Sequence, residues 1–344
     1  MATSRRTFLG AALGAPFILG AEDKSGNRKP ILGEGQHTYE VTHDWGDLPA
    51  DIRYGNTHGV CVDSHDRVYI HHTVYSLSEK PDSMVVFDEK GRFIKSWGKE
   101  FRGGAHGLHI RKEGRDEFLY LCDIQRGIVV KTTLDGEEVF TLGYPQQSEP
   151  YSKPGPDGKP LKYSPTNLAV APNGDIYVGD GYGSSYIIQY NSKGEYIRTF
   201  GGPGSEAGQL SCPHGIICDT RDHEPVLMVA DRANKRIQRF TLDGRHIDFI
   251  QGTNAPCHFN LYKNGDVVVP DLFARVTLMD RDNEVIVQLG DDSHSDYMET
   301  RKLTRDHFTP GKFVCPHGAC FDHAGNIYVV EWVEVGRVSR LRRV

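Results

Sequence analysis

Short stretches in which apolar and polar residues alternate recur along almost the whole chain beyond residue 50, each closed by a glycine, asparagine or aspartate turn. Alternation with a period of two marks half-buried strands, because successive side chains point to opposite faces of a sheet. The stretch from Ser164 to Phe200 shows the repeating unit most clearly. Residues 164–170 read as a first strand and Asn173-Gly174 as a tight turn. Residues 175–180 read as a second strand and residues 186–190 as a third. After Lys193-Gly194, residues 196–200 close the unit. Five further copies begin near His58, His106, His214, Cys257 and His317, and the complete ones end at Gly98, Gly143, Gly252 and Gly290. Four short antiparallel strands per unit, recurring roughly every 45–60 residues, predict an all-β fold, a six-bladed β-propeller. The sixth copy stops at Val344 after about three strands. The segment around His37–Trp45 is expected to supply the missing outer strand, closing the ring by strand exchange between the N- and C-terminal segments. The connections at residues 144–161 and 291–311 carry proline, glycine and charge and read as surface loops.

The first residues break this pattern. Ser4-Arg5-Arg6-Thr7-Phe8-Leu9, followed by the weakly apolar residues 10–20, reads as a twin-arginine export signal too short to span a bilayer. The expected organisation is therefore an export signal over residues 1–21, a flexible linker over 22–36 and one propeller domain over 37–344. The expected destination is the periplasm or the extracellular space, as a monomer with no stable membrane anchor once the signal is removed. The net charge of −6, with both signs interspersed, offers no basic face and argues against nucleic acid as a partner. Seven cysteines, an odd number in a chain this long, do not make a disulfide framework. Cys61, Cys218 and Cys320 lie in apolar runs and read as buried thiols. Cys212 and Cys315 each open an identical Cys-Pro-His-Gly, where a reduced structural role is expected.

Histidines stand at the head of several units. His106, His214 and His317 hold that slot in the second, fourth and sixth copies, within Ala-His-Gly once and Cys-Pro-His-Gly twice. In a closed ring of six blades, alternate blades are about 120 degrees apart, so three such imidazoles converge on the axis. Three histidines with an open fourth position form a familiar zinc arrangement, and another divalent transition metal is an alternative. His58 holds the same slot in the first copy and is a possible fourth ligand. Thr166 and Cys257 hold it in the third and fifth.

The phrase Ala230-Asp231-Arg232-Ala233-Asn234-Lys235-Arg236-Ile237-Gln238-Arg239-Phe240 resembles the NHL repeat, and the likeness covers nearly all of residues 50–344. The chain further resembles peptidylglycine α-amidating lyase (peptidyl-α-hydroxyglycine lyase), which cleaves peptidyl-α-hydroxyglycine to a peptide amide and glyoxylate. The stretch Phe200-Gly201-Gly202-Pro203-Gly204 and the run Gly208-Gln209-Leu210 before Cys-Pro-His-Gly also follow that family. The resemblance implies zinc held by His106, His214 and His317. It also implies catalytic roles for Tyr182, in Asp180-Gly181-Tyr182, and for Arg232, in Ala230-Asp231-Arg232. Two positions depart from the family. Ile70-His71-His72 puts His72 where a second catalytic arginine is implied. Gly318 stands where an aspartate ligand for Ca²⁺ is implied, so calcium at the axis is doubtful.

The leading expectation is metal-dependent carbon–nitrogen lyase chemistry on a small-molecule or peptide-like hydroxylated substrate at the axis. There the metal binds substrate oxygen, Tyr182 takes the hydroxyl proton, Arg232 orients a carboxylate or amide, and His72 lies nearby. Two alternatives remain at this stage. One is a metal-dependent hydrolase or lactonase on the same frame. The other is a secreted NHL propeller acting as a binding and interaction module.

Overall fold

The computed structural model describes residues 21–22 and 28–344, so the export signal expected over residues 1–21 lies outside them apart from Ala21. Six antiparallel sheets form the blades. The first is Thr57–Val62, Val68–His72, Met84–Phe87 and Phe93–Trp97. The next three open with Ala105–Glu113, Asn167–Val170 and Pro213–Asp219, and the fifth opens with the two-residue strand Asn260–Leu261. The sixth comprises Pro316–Phe321, Ile327–Glu331 and Arg337–Arg343, completed by Tyr39–His43 from the other end of the chain. Ser339 pairs with His43 and Arg343 with Tyr39, which is the expected strand exchange. Within the stretch expected as a linker, Ile31–Leu32 departs from that reading. It adds a fifth strand to this sheet, with Leu32 opposite Tyr39 and buried against the sixth-blade core.

Alternation in the strands becomes burial between blades. Leu168, Val170, Ile176, Val178 and Ile188 of the third blade pack against Tyr120, Cys122 and Val129 of the second. Burying a residue of this kind contributes about 1.5–3 kcal/mol, so each interface between blades is a core in its own right. The last position of the second strand carries a second device. Asp123, Asp231 and Glu331 lie opposite Ala105, Pro213 and Pro316, the residues preceding the three axial histidines. These carboxylates are fully buried, and with Asp180 and Asp271 they accept backbone N–H groups of nearby loops. Ser164 N to Asp180 is 2.6 Å, Ser211 N to Asp231 is 2.7 Å and Val314 N to Glu331 is 2.7 Å. The head of each inner strand is thereby tied down where the axis needs it rigid.

Both long connections lie on the surface as expected, and each anchors a few buried residues onto the blades. Tyr151, in the first, is 3% exposed, donates its hydroxyl proton to Asp180 and packs edge-on among Tyr144, Tyr163 and Tyr186. The second contains the short helix Tyr297–Thr300, and it buries Phe308 against Val314, Cys315 and Val333. All seven cysteines are free thiols.

Candidate metal centre

His58, His106, His214 and His317 each occupy the second position of an inner strand and are each followed by glycine. The glycine has a steric reason. A Cβ on Gly107 would sit 2.5 Å from the Thr166 carbonyl oxygen, one on Gly215 2.5 Å from that of Cys257, and one on Gly318 2.6 Å from that of His58. Neighbouring inner strands approach too closely for a side chain there. The same three carbonyls receive the imidazoles. His106 Nδ1 lies 2.7 Å from Thr166 O, His214 Nδ1 2.8 Å from Cys257 O, and His317 Nδ1 3.0 Å from His58 O. A carbonyl can only accept, so each Nδ1 carries the proton and each Nε2 keeps its lone pair. The His-Gly dipeptide thus encodes one arrangement three times, once at every second blade.

The three rings pack against one another at the axis. Their centroids are 4.9 Å apart for His106 and His214, 4.8 Å for His106 and His317, and 4.7 Å for His214 and His317, with interplanar angles of 70–83°. All three are buried, and burial drives each pKa down, that of His106 to about 3, so the rings are neutral at ordinary pH. Neutral imidazoles with Nδ1 fixed by backbone carbonyls and Nε2 turned inward are the donor set that zinc and similar divalent ions take. Two groups of ligand atoms lie within 4.8 Å of one another, His58 with His106 and His317, and His214 with Cys257 and His317; they share His317, and the expected trio His106, His214 and His317 does not by itself form one such group. A third group, Asp63, His65 and Glu117, has its carboxylates engaged by Arg67 and Ser64.

Two proton donors face the three inward lone pairs. His58 Nδ1 is 3.3 Å from His317 Nε2, and the Tyr182 hydroxyl is 3.1 Å from His214 Nε2 and 3.4 Å from His106 Nε2. Arg232 Nη1 in turn donates to the Tyr182 oxygen at 3.4 Å. Tyr182 and Arg232 follow the second strands of the third and fourth blades, Tyr182 two residues after the buried Asp180 and Arg232 directly after the buried Asp231, and this brings both to the cluster. Burial raises the Tyr182 pKa, with the Arg232 charge opposing. Among the described residues no carboxylate pairs with Arg232, and the axial groups contain none.

His72 lies elsewhere. It faces Thr57 in the register that Asp123, Asp231 and Glu331 hold in their own blades. Its Nδ1 accepts Val74 N–H at 3.1 Å, as Asp123 accepts Gln125 N–H at 3.0 Å, and its ring packs edge-on against Tyr54. The position is that of the blade carboxylate, which explains why a histidine there does not reach the axial rings. A guanidinium that sequence reasoning missed stands near the axis instead. Arg301, from the connection between the fifth and sixth blades, is 8% exposed and stacks 3.5 Å over the Trp332 ring. It donates to Asn56 Oδ1 at 3.0 Å, and its charge helps lower the His58 pKa. No periodic signal marks it, because it lies in an irregular insertion.

No family model matches the chain. Over 170 residues it is 31% identical to peptidyl-α-hydroxyglycine α-amidating lyase 2 of Drosophila melanogaster, a match covering 48% of this chain and 39% of that protein. It is 29% identical over 199 residues to NHL repeat-containing protein 3 of Homo sapiens, covering 55% of this chain and 53% of that one. In structure, it superposes on a gluconolactonase of Xanthomonas campestris with a TM-score of 0.60 at 13% identity, covering 95% and 98% of the two chains, a likeness of fold. The chain is a six-bladed β-propeller that resembles NHL-repeat proteins and the amidating lyases. The matches span less than two thirds of the length of either sequence relative. Of these three proteins, the amidating lyase and the gluconolactonase are named as enzymes. Within this amidating-lyase-like propeller no described helix is long and apolar enough to cross a membrane.

Proposed function

We propose that this propeller is a metal-dependent lyase that cleaves a small hydroxylated substrate at its axis, in the manner of the amidating lyases it resembles. The observation that carries the reading is the threefold anchoring of Nδ1 on Thr166, Cys257 and His58 carbonyls, which leaves three neutral Nε2 atoms free to donate their lone pairs within the axial cluster. His106, His214 and His317 would hold a divalent ion such as zinc, with His58 beside them. Calcium suits the site poorly, since it takes oxygen ligands and the axial groups contain no carboxylate. Bound there, the metal supplies Lewis acidity toward a substrate oxygen.

The remaining chemistry falls to side chains already in place. Once the Nε2 lone pairs are engaged, the Tyr182 hydroxyl loses its imidazole acceptors and turns to the substrate. Its oxygen takes the substrate hydroxyl proton. The carbon–oxygen bond then becomes a carbonyl, the carbon–nitrogen bond breaks with its electron pair on nitrogen, and that nitrogen recovers a proton from Tyr182. Burial keeps the phenol protonated, so positive charge beside it is needed to reach the phenolate, and Arg232 supplies one such charge. Arg232 has no carboxylate partner among the described residues and can orient a carboxylate or amide of the substrate.

The test is glyoxylate release from a peptide ending in α-hydroxyglycine, by untagged protein of measured metal content. Turnover that follows metal content and disappears in Tyr182→Phe is the expected result. Metal-loaded protein that releases no glyoxylate removes the substrate assignment.

A further inference from the structure

Cys257 holds the inner slot of the fifth blade, between the blades that carry His214 and His317, and it takes no part in the chemistry above. Its side chain is fully buried. Its backbone carbonyl anchors His214 Nδ1, so the residue already belongs to the cluster's support. Its thiol has one weak contact to an acceptor, Ala255 O at 3.5 Å. The guanidinium of Arg232 lies 3.9 Å from the sulfur. A ligand atom of Cys257 falls within 4.8 Å of ligand atoms of both His214 and His317, and all three residues are buried.

We propose that Cys257 is a metal ligand, its thiolate joining His214 and His317 at the axial ion so that the site has a soft, sulfur-bearing side facing the fifth blade. The proposal rests on the metal reading above and adds a donor to it. Coordination replaces the sulfur–hydrogen bond with a sulfur–metal bond and releases that proton to solvent, with no change of oxidation state. Without metal, burial pushes the Cys257 thiol up to about 12 and the Asp271 charge adds to the rise, so it is the bound cation that would displace the proton, with the Arg232 guanidinium 3.9 Å from the sulfur acting in the same direction. A mixed imidazole–thiolate set prefers zinc, cobalt or copper over magnesium or calcium, so the cysteine would also set which ion the propeller selects.

The experiment is titration of the chelator-stripped full chain with Co²⁺, followed by absorption spectroscopy. The expected result is one cobalt per chain with a thiolate-to-cobalt charge-transfer band in the near ultraviolet. The band should be lost in Cys257→Ser and kept in Cys212→Ser and Cys315→Ser. A wild-type spectrum with bound cobalt and no thiolate band overturns the proposal without reference to any variant, and leaves the three-imidazole site standing. A band that survives in Cys257→Ser also overturns it. Failure of the wild-type chain to bind cobalt at all sinks both this proposal and the metal reading beneath it.

Discussion

Replacing His214 with alanine separates the two roles this imidazole holds, as donor to a carbonyl and as inward-facing lone pair. The first role has a stability cost independent of metal. Without the imidazole, Cys257 O loses its 2.8 Å donor and the Tyr182 hydroxyl its 3.1 Å acceptor in a buried setting. An orphaned buried polar group costs about 1–3 kcal/mol, which at roughly 2–4 °C per kcal/mol lowers the melting midpoint by roughly 2–12 °C. The second role appears only with metal. A ligand that binds the native state at a hundred times its dissociation constant stabilises by about 2.7 kcal/mol. Stripping metal from the wild-type chain should therefore lower its midpoint by roughly 5–10 °C. Differential scanning calorimetry of both proteins, with chelator and with excess zinc, resolves the two. The expected outcome is a chelator-sensitive wild type and a His214→Ala variant that is less stable in both conditions and indifferent to chelator. If the variant retains a full equivalent of metal and the wild-type response to chelator, the reasoning from anchored imidazoles to a shared ion is refuted.

Three further outcomes are expected. Glu331 and Arg337 form an ion pair in which neither side chain is more than 2% exposed, so Glu331→Gln leaves a buried guanidinium uncompensated and should cost about 3–5 kcal/mol in urea denaturation. A loss below about 1 kcal/mol would mean the seam between the first and sixth blades tolerates that charge alone. His43, His72 and His109 are each held by burial down to about 3, whereas an unfolded histidine titrates near about 6.5. Between those values the unfolded chain binds protons that the folded chain refuses. Stability is therefore complete above about pH 6.5 and falls toward pH 3 by up to about 1.4 kcal/mol per pH unit for each residue, and a midpoint flat from pH 7 to 4.5 would contradict this. Asparagine at position 72 preserves an acceptor for Val74 N–H. His72→Asn should keep wild-type metal content and turnover, and a loss of about tenfold or more would return His72 to the chemistry.

Much of this arrangement was legible because the repeat is a ruler. Once each unit is aligned on its turn glycines, His106, His214 and His317 fall on alternate sectors, and Tyr182 and Arg232 fall just beyond the second strands that point them inward. The same ruler, read more strictly, places His72 with Asp123, Asp231 and Glu331. Likeness to a family position drew His72 toward the axis, whereas pairing register puts it in the blade's carboxylate position. Cys257 was visible only as the occupant of a slot. Its approach to two imidazoles depends on how closely inner strands pack, which no linear pattern states. Arg301, Tyr151 and Phe308 were hidden for a different reason. They lie in irregular, charged insertions that composition assigns to the surface, but whose aromatic and guanidinium groups find partners on the blades. Ile31–Leu32 is too short to display any alternation at all.

The clasp between Tyr39–His43 and Arg337–Arg343 has a bearing on the order of assembly. Across that same seam His317 Nδ1 reaches His58 O, and the Thr57 hydroxyl donates to Glu331 O at 2.8 Å. During synthesis Arg337–Arg343 leave the ribosome after the other five blades, so the trio of imidazoles stays one member short until the toroid can shut. Completing the ring and completing the ligand set are then a single event, and a partly made chain offers a cation only two of its three anchored nitrogens.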